Sequence, residues 1–243
     1  MLGWVRLEGA LPQGTLFVMT GASGVGKGTL RARLLERVKL YYSISMTTRP
    51  ARPGERHGVD YWFVDRARFQ AAIEAEAFLE YAEYVGNYYG TPRAPVERHL
   101  SRGEDVLLEI EVEGAKQVRE KAPKLGIPAV FIFIVPPSLT ELRRRLLLRS
   151  GDGDPAKLKE IAARLARAER EIREAGEVGF DYVVTNDVLE EATADLERIV
   201  RAERLRAYRR GDALRAALSR DPALEAELDE MERWLMEHGR TRN

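Results

Sequence analysis

The sequence predicts an α/β fold: a parallel sheet flanked by helices, with a smaller subdomain inserted near its start. Three observations carry this. The run Leu16-Phe17-Val18-Met19 is apolar throughout and feeds through a glycine-rich turn into an amphipathic helical pattern. The same strand-then-helix rhythm returns after residue 97. Between the two, residues 43–96 have another texture, dense in proline, glycine and aromatic side chains.

Taken in order, Met1 to Gly14 has no periodicity and is predicted to be a leader. The first strand is followed by a helix from Gly28 to Lys39, with Leu30, Leu34 and Leu35 on its apolar face. Tyr41 to Thr48 alternates and predicts a strand. Arg49 to Gly58 holds two prolines and two glycines, which forbid regular structure. Asp60–Val64 predicts a strand, Arg66–Glu76 a helix, Phe78–Tyr84 a strand and Gly86–Pro92 an aromatic-rich turn. In the returning rhythm, Asp105–Ile110 is a strand, Gly114–Lys121 a helix and Pro128–Val135 a second buried strand. Pro136 and Pro137 stop it. Ser138 then caps a helix, with Glu141 three residues on completing a capping box. Ser150 to Pro155 is a flexible break before a long charged helix, Ala156–Ala175. Phe180–Thr185 is the last strand and Leu189–Arg209 a helix. Leu214, Leu218, Leu224, Leu228, Met231, Leu235 and Met236 recur at roughly helical spacing in the tail, which carries no evident chemistry. The organisation is therefore a leader (1–14), a core (15–42 and 97–207), an insertion (43–96) and a helical C-terminal extension (208–243).

Bulk composition narrows the function. The chain has 243 residues, 39 Lys+Arg against 39 Asp+Glu, and so no net charge. That balance gives no reason to expect nucleic acid or an anionic membrane as partner. No cysteine is present, which excludes disulfides, thiolate metal sites and cysteine nucleophiles, and a cytoplasmic home is expected. His57, His99 and His238 lie far apart, without ligand spacing. No apolar run is long enough to cross a membrane. The composition leaves monomer and homo-oligomer equally open.

The turn after the first strand reads Gly21-Ala22-Ser23-Gly24-Val25-Gly26-Lys27-Gly28-Thr29. Gly-x4-Gly-Lys is the spacing of a P-loop, in which successive backbone N–H groups and the positive end of a helix dipole cradle a chain of phosphates. Lys27 reaches the outer phosphates as a mobile point charge. Gly28 stands where the strict pattern has Ser or Thr, so Mg²⁺ is expected to be held by ATP phosphates, water and carboxylates elsewhere, with Thr29 bonding a phosphate.

A P-loop implies a nucleoside triphosphate and leaves the acceptor open. Arg49 and Arg52 lie in a proline-flanked loop, and guanidinium forks match phosphate oxygens in pairs. Tyr61 and Tyr89 can add phenolic hydroxyls. Glu80 lies in an apolar strand context, and a carboxylate can accept two hydrogen bonds from the N1–H and exocyclic amine of guanine, a donor pair that adenine lacks. Alone, two loop arginines or one glutamate more often form solvated surface.

The ordered set GASGVGKGT, SMTTRPARPGERHGVDYWFV, FLEYAEYVGNYYGT, LLEIEVEGA, FIFIVPPSLTELRRRL and VVTND resembles guanylate kinases of the bacterial type over residues 14–207. The resemblance implies a P-loop nucleoside monophosphate kinase whose parallel sheet flanked by helices carries a GMP-binding insertion and a helical lid at about 146–170, transferring the γ-phosphoryl of ATP to GMP, and to dGMP, with Mg²⁺. It assigns Arg49, Arg52, Tyr61 and Tyr89 to the GMP phosphate, and Ser45, Glu80 and Thr91 to the guanine edge. Residues 21–29 become the ATP phosphate cradle, with Asn186 near the adenine. Lys27 and the arginines Arg145, Arg149 and Arg164 act on the transferring group. Glu109 and Glu111 fall where some members carry aspartates, one expected near the Mg²⁺ water shell and the other near the guanine or ribose. The chain departs from the family in Glu113, where glutamine is usual, in a longer lid segment at 150–160 and in the tail. A non-catalytic scaffold of this type would lack Lys27 and the lid arginines, and a kinase for another acceptor would have no use for Ser45, Glu80 and Thr91 together.

Overall fold

The computed structural model describes residues 13–150 and 155–209. Its elements, in chain order, are β1 (Leu16–Gly21), α1 (Lys27–Arg37), β2 (Tyr41–Tyr42), β3 (Met46–Thr47), β4 (Trp62–Phe63), α2 (Arg66–Glu74), β5 (Phe78–Tyr84), β6 (Asn87–Pro92), α3 (Arg93–Ser101), β7 (Val106–Glu109), α4 (Val112–Lys124), β8 (Ala129–Val135), α5 (Leu139–Ser150), α6 (Pro155–Val178), β9 (Tyr182–Thr185) and α7 (Leu189–Arg209). Residues 1–12 of the expected leader and nearly all of the expected extension lie outside the described residues.

Five strands form a parallel sheet in the order β2-β7-β1-β8-β9. Alternation along the strands builds two apolar layers. Phe17 and Met19 of β1, with Val130, Ile132 and Ile134 of β8, face a layer closed by α1, α5, α6 and α7. Leu16, Val18, Phe131 and Phe133 face the opposite layer, closed by α3 and α4. Burial of both faces is why β1 and β8 read as unbroken apolar runs.

Residues 46–92 build a second sheet, in the order β4-β3-β6-β5, largely antiparallel. The expected strand Tyr41–Thr48 is in fact two. Tyr41–Tyr42 pairs with β7 and Met46–Thr47 with β6, so the chain changes sheet at Ser43–Ser45. Ser43 N–H still bonds Leu107 O in the core, whereas Ser45 O already accepts Trp62 N–H in the insertion. The expected turn Gly86–Pro92 is a further correction. Val85 and Gly86, at φ 49° and 72°, make a two-residue hairpin turn, and Asn87–Pro92 is a strand pairing with β5. The helix Arg93–Ser101 follows without having been foreseen.

The two sheets are joined by α4, which starts at the carboxyl end of β7 and packs on β5. Gln117 bonds both polar groups of the Tyr81 backbone, its Oε1 accepting the N–H at 3.2 Å and its Nε2 donating to the carbonyl at 2.9 Å. Lys121 Nζ donates to Phe78 O at 3.3 Å. The cap at Ser138 is present, Glu141 N–H donating to Ser138 Oγ at 3.0 Å. The side chain of Glu141, however, pairs with Arg144 and Arg145.

Candidate active site

The P-loop lies where the carboxyl ends of the parallel strands open, the place where such sheets bind ligands. Gly21 ends β1. A Cβ there would lie 2.4 Å from Ile134 O, so only glycine lets β1 run this close to β8. Gly24 and Gly26 take φ 83° and 100°, left-handed values that turn the backbone N–H groups inward. Ala22 and Val25 are buried beneath the loop. Gly26 caps α1, and Lys27 is its first residue. Lys27 Nζ donates to Gly21 O at 2.7 Å, folded across the loop. Nothing lies within 4 Å of a Cβ built on Gly28, so no packing demands glycine there. Thr29 is exposed on the first turn.

Asn186 follows β9 and is buried. Its Nδ2 donates to Val25 O at 2.7 Å, so it supports the loop from the side. Arg145 is fastened to the same corner: Nη1 to Asn186 O at 2.6 Å, Nη2 to Asp187 O at 3.1 Å and Nε to Glu141 Oε1 at 2.8 Å. Arg164 stands half-exposed on α6, paired with Glu160 one turn earlier. The side chain of Arg149 lies outside the described residues.

Glu109 ends β7, in register with Met19 of β1. Its Oε2 accepts Arg31 Nη1 at 2.9 Å, and Arg31 also bonds the Tyr42 hydroxyl at 2.7 Å. Burial pushes the Tyr42 phenol up to about 12. Glu111 precedes α4 and pairs with Arg167 at 3.2 Å. Glu113 pairs with Lys116 on the same helix.

In the insertion, Arg49, Tyr61 and Tyr89 converge. The Arg49 guanidinium carbon is 5.5 Å from the Tyr61 ring centre, and the two tyrosine rings meet edge to face at 6.1 Å. Glu55 holds Arg49 by a fork, Oε2 to Nη1 and Oε1 to Nη2, both at 2.9 Å. It also accepts Arg52 N–H at 2.7 Å. Glu55 occupies the Nη1/Nη2 edge of the guanidinium and the Tyr89 hydroxyl bonds the same group, while the edge at Nε is of the kind that can take a second oxyanion. The Arg52 residue is exposed on the loop. Sequence reading missed Glu55, although its place three residues after Arg52 in a tight loop was a signal. Ser45 is partly buried at the crossing between sheets.

Glu80 is 6% exposed, and the Thr91 hydroxyl donates to its Oε1 at 2.6 Å. Burial raises its carboxyl above the ordinary range, while the Thr91 bonds oppose the shift. Its other oxygen lies against α4 at Gly114, where a Cβ would come within 2.7 Å of Oε2. A carboxylate held by one hydroxyl, in a niche that one glycine keeps open, can accept paired donors from a planar base.

The guanylate kinase family profile matches residues 13–203. The chain belongs to the guanylate kinase family. It is similar to a guanylate kinase of Thermus thermophilus, 64% identical over 219 residues that cover 90% of this chain and 95% of that one. The guanylate kinase of Deinococcus radiodurans is 51% identical over 82% of this chain and 80% of its own. Among solved structures, the guanylate kinase of Anaplasma phagocytophilum superposes with TM-score 0.62 at 36% identity, covering 79% of this chain and 87% of that one. Family membership makes the chain a nucleoside monophosphate kinase, with ATP as donor and GMP as acceptor. No helix among the described residues is long and apolar enough to cross a membrane.

Proposed function

We propose that the chain transfers the γ-phosphoryl of MgATP to GMP between a donor cradle at residues 21–29 and an acceptor pocket in the insertion 43–96. What supports the division of labour most is Glu80, a buried carboxylate that accepts the Thr91 hydroxyl and sits in a niche formed at Gly114. Guanine offers two adjacent N–H donors that such a carboxylate can accept together, and adenine does not. Ser45 and Thr91 complete the base pocket. The phosphate of GMP takes the open edge of Arg49, with Tyr61, Tyr89 and Arg52 around it. The family resemblance implies dGMP as a further acceptor.

An ionised phosphate oxygen is the nucleophile, and no strong general base is required. The barrier is electrostatic, since two polyanions must meet in line. Lys27 exchanges Gly21 O for the outer phosphates, and the loop N–H groups stabilise charge on the equatorial oxygens. Arg145 is held at the donor corner by Asn186 and Asp187. Arg149 and Arg164 join from the lid side on closure, which also excludes water.

Among the described residues, no group of three acids could hold a metal ion, and Gly28 offers no hydroxyl. That donor set fits a Mg²⁺ that would be carried on the ATP phosphates, with Thr29 bonding a phosphate and Glu109 as the carboxylate that would serve its water shell. The ion would neutralise phosphate charge during transfer. Both substrates are cytoplasmic metabolites, and the reaction is assigned to the cytoplasm.

A coupled assay of ADP release with GMP, dGMP, AMP, UMP and sugar phosphates tests the reading. Turnover of GMP and dGMP, with AMP and UMP lower by at least about a hundredfold in kcat/KM, is expected from the cost of leaving buried polar groups unpaired. Comparable turnover of AMP would contradict it.

A further inference from the structure

Arg167 stands at a junction that the chemistry above leaves unused. Glu171, on α6, is 6% exposed, and its Oε2 accepts the N–H of Ser23 at 2.8 Å. A carboxylate therefore rests directly on the P-loop, whose ligand is itself a polyanion. That charge needs a cation beside it, and Arg167, one turn earlier, supplies one through Nε to Oε1 at 2.8 Å. The Nη2 of Arg167 also reaches Glu111 at the start of α4, at 3.2 Å. Its guanidinium carbon lies 4.9 Å from the centre of the Tyr84 ring. Tyr84 is the last residue of β5. Pairing is regular from Glu80 to Tyr84, so these two side chains leave the same face of that strand. One guanidinium thus touches the guanine-reading strand on one side and, through Glu171, the phosphate cradle on the other.

We propose that Arg167 is a positioning residue that couples the two substrate sites, so that GMP on β5 tightens the binding of ATP to the P-loop. The coupling rests on the acceptor assignment above. GMP holds β5 against α6 and keeps Tyr84 over the guanidinium. Arg167 is then kept on Glu171, whose charge stays balanced and whose bond holds Ser23 in place beneath the triphosphate. With the guanidinium displaced, Glu171 and Glu111 stand uncompensated beside the loop and ATP is repelled. By reciprocity, ATP tightens GMP by the same factor.

The test is calorimetric titration of a non-hydrolysable ATP analogue with Mg²⁺ into the full chain, without and with saturating GMP. In the native chain GMP is expected to tighten the analogue by about fivefold or more, the lower end of ordinary coupling between sites. Arg167→Ala and Tyr84→Ala are each expected to bring that ratio near one. Tyr84→Phe, which keeps the ring, retains it. Tyr84 is 54% exposed, so its alanine variant is expected to fold even where Arg167→Ala does not. A merely structural role would weaken both ligands and leave the ratio unchanged. An unchanged ratio in Tyr84→Ala, or a ratio of one in the native chain with normal GMP binding, would overturn the proposal. No binding of GMP to the native chain would overturn the acceptor assignment and the coupling with it.

Discussion

Replacing Gly114 by alanine perturbs the acceptor pocket without touching either substrate directly. The added Cβ would lie 2.7 Å from Glu80 Oε2, 3.2 Å from its Cδ and 3.3 Å from its Cγ. Helix α4 is fixed to β5 by Gln117 and Lys121, so the carboxylate of Glu80 has to give way. Rotating it away loses one charge-assisted hydrogen bond, either that from Thr91 or one of the two to guanine. Such a bond is worth about 1.5–3 kcal/mol, which corresponds to about a ten- to hundredfold weaker hold on GMP. Alanine is the better helix former by up to about 1 kcal/mol, so the fold is expected to lose little or nothing. Steady-state kinetics with each nucleotide varied in turn, alongside thermal unfolding, reads both quantities. The expected pattern is a KM for GMP raised by that factor, a KM for ATP within about twofold and a nearly unchanged Tm. Equal losses for both nucleotides, or an unaffected KM for GMP, would refute the reasoning.

Four further outcomes follow from the same geometry. Lys27→Ala is expected to fold and to lose about a thousandfold or more in kcat, as when other transition-state cations are removed from phosphoryl transfer; near-native GMP phosphorylation would remove the P-loop from the account. Glu55→Gln breaks the fork on Arg49 and is expected to raise the KM for GMP about tenfold while sparing ATP, the size of one charge-assisted hydrogen bond, which initial-rate kinetics would register. Glu80 has a folded pKa raised above 4.5 by burial, so the stability its protonated form lends is full below that value and is lost as pH rises through the folded value. Glu80→Gln is therefore expected to raise the Tm of the nucleotide-free chain at pH 7.5, by about 2–4 °C for each kcal/mol gained, and to give no rise near pH 4, while GMP no longer protects it from unfolding. Val85, 79% exposed at φ 49°, is a β-branched residue in a left-handed turn, and Val85→Asn is expected to stabilise the chain by about 1 kcal/mol in denaturant titration, with no change in kcat.

The parts of the molecule legible in the sequence were those whose physics is local. The apolar run of β1, the left-handed glycines after it and the amphipathic stripe of α1 sit close together in the chain, and the structure places them as expected. β5 keeps the predicted limits, Phe78–Tyr84, and α7 starts at the predicted Leu189, because each has a continuous pattern. The division of Tyr41–Thr48 between two sheets was not legible, since one alternating run serves both and only the partners differ. The hairpin at Val85-Gly86 was missed because valine is a poor left-handed residue and hides the turn chemistry that Asn-Gly would have displayed. Among the proposed site residues, Arg49, Tyr61, Tyr89 and Glu80 could be singled out by type and context, and Thr91 only through the family resemblance. Glu55, Gly114, Arg167 and Glu171 did not, because each acts through a neighbour supplied by folding. Gly114 reads as an ordinary helical glycine until Glu80, far earlier in the chain, is seen against it, and Glu171 as one more charge on a charged helix until Ser23 is found beneath it.

The most direct measurement is a crystal structure of the chain with GMP, Mg²⁺ and a non-hydrolysable ATP analogue bound together. The guanine is predicted to lie with N1–H and its exocyclic amine on the Glu80 carboxylate, its phosphate on Arg49 and the two tyrosines, facing the triphosphate across Lys27. A guanine bound away from Glu80, or a phosphate that bypasses Arg49, would contradict the account.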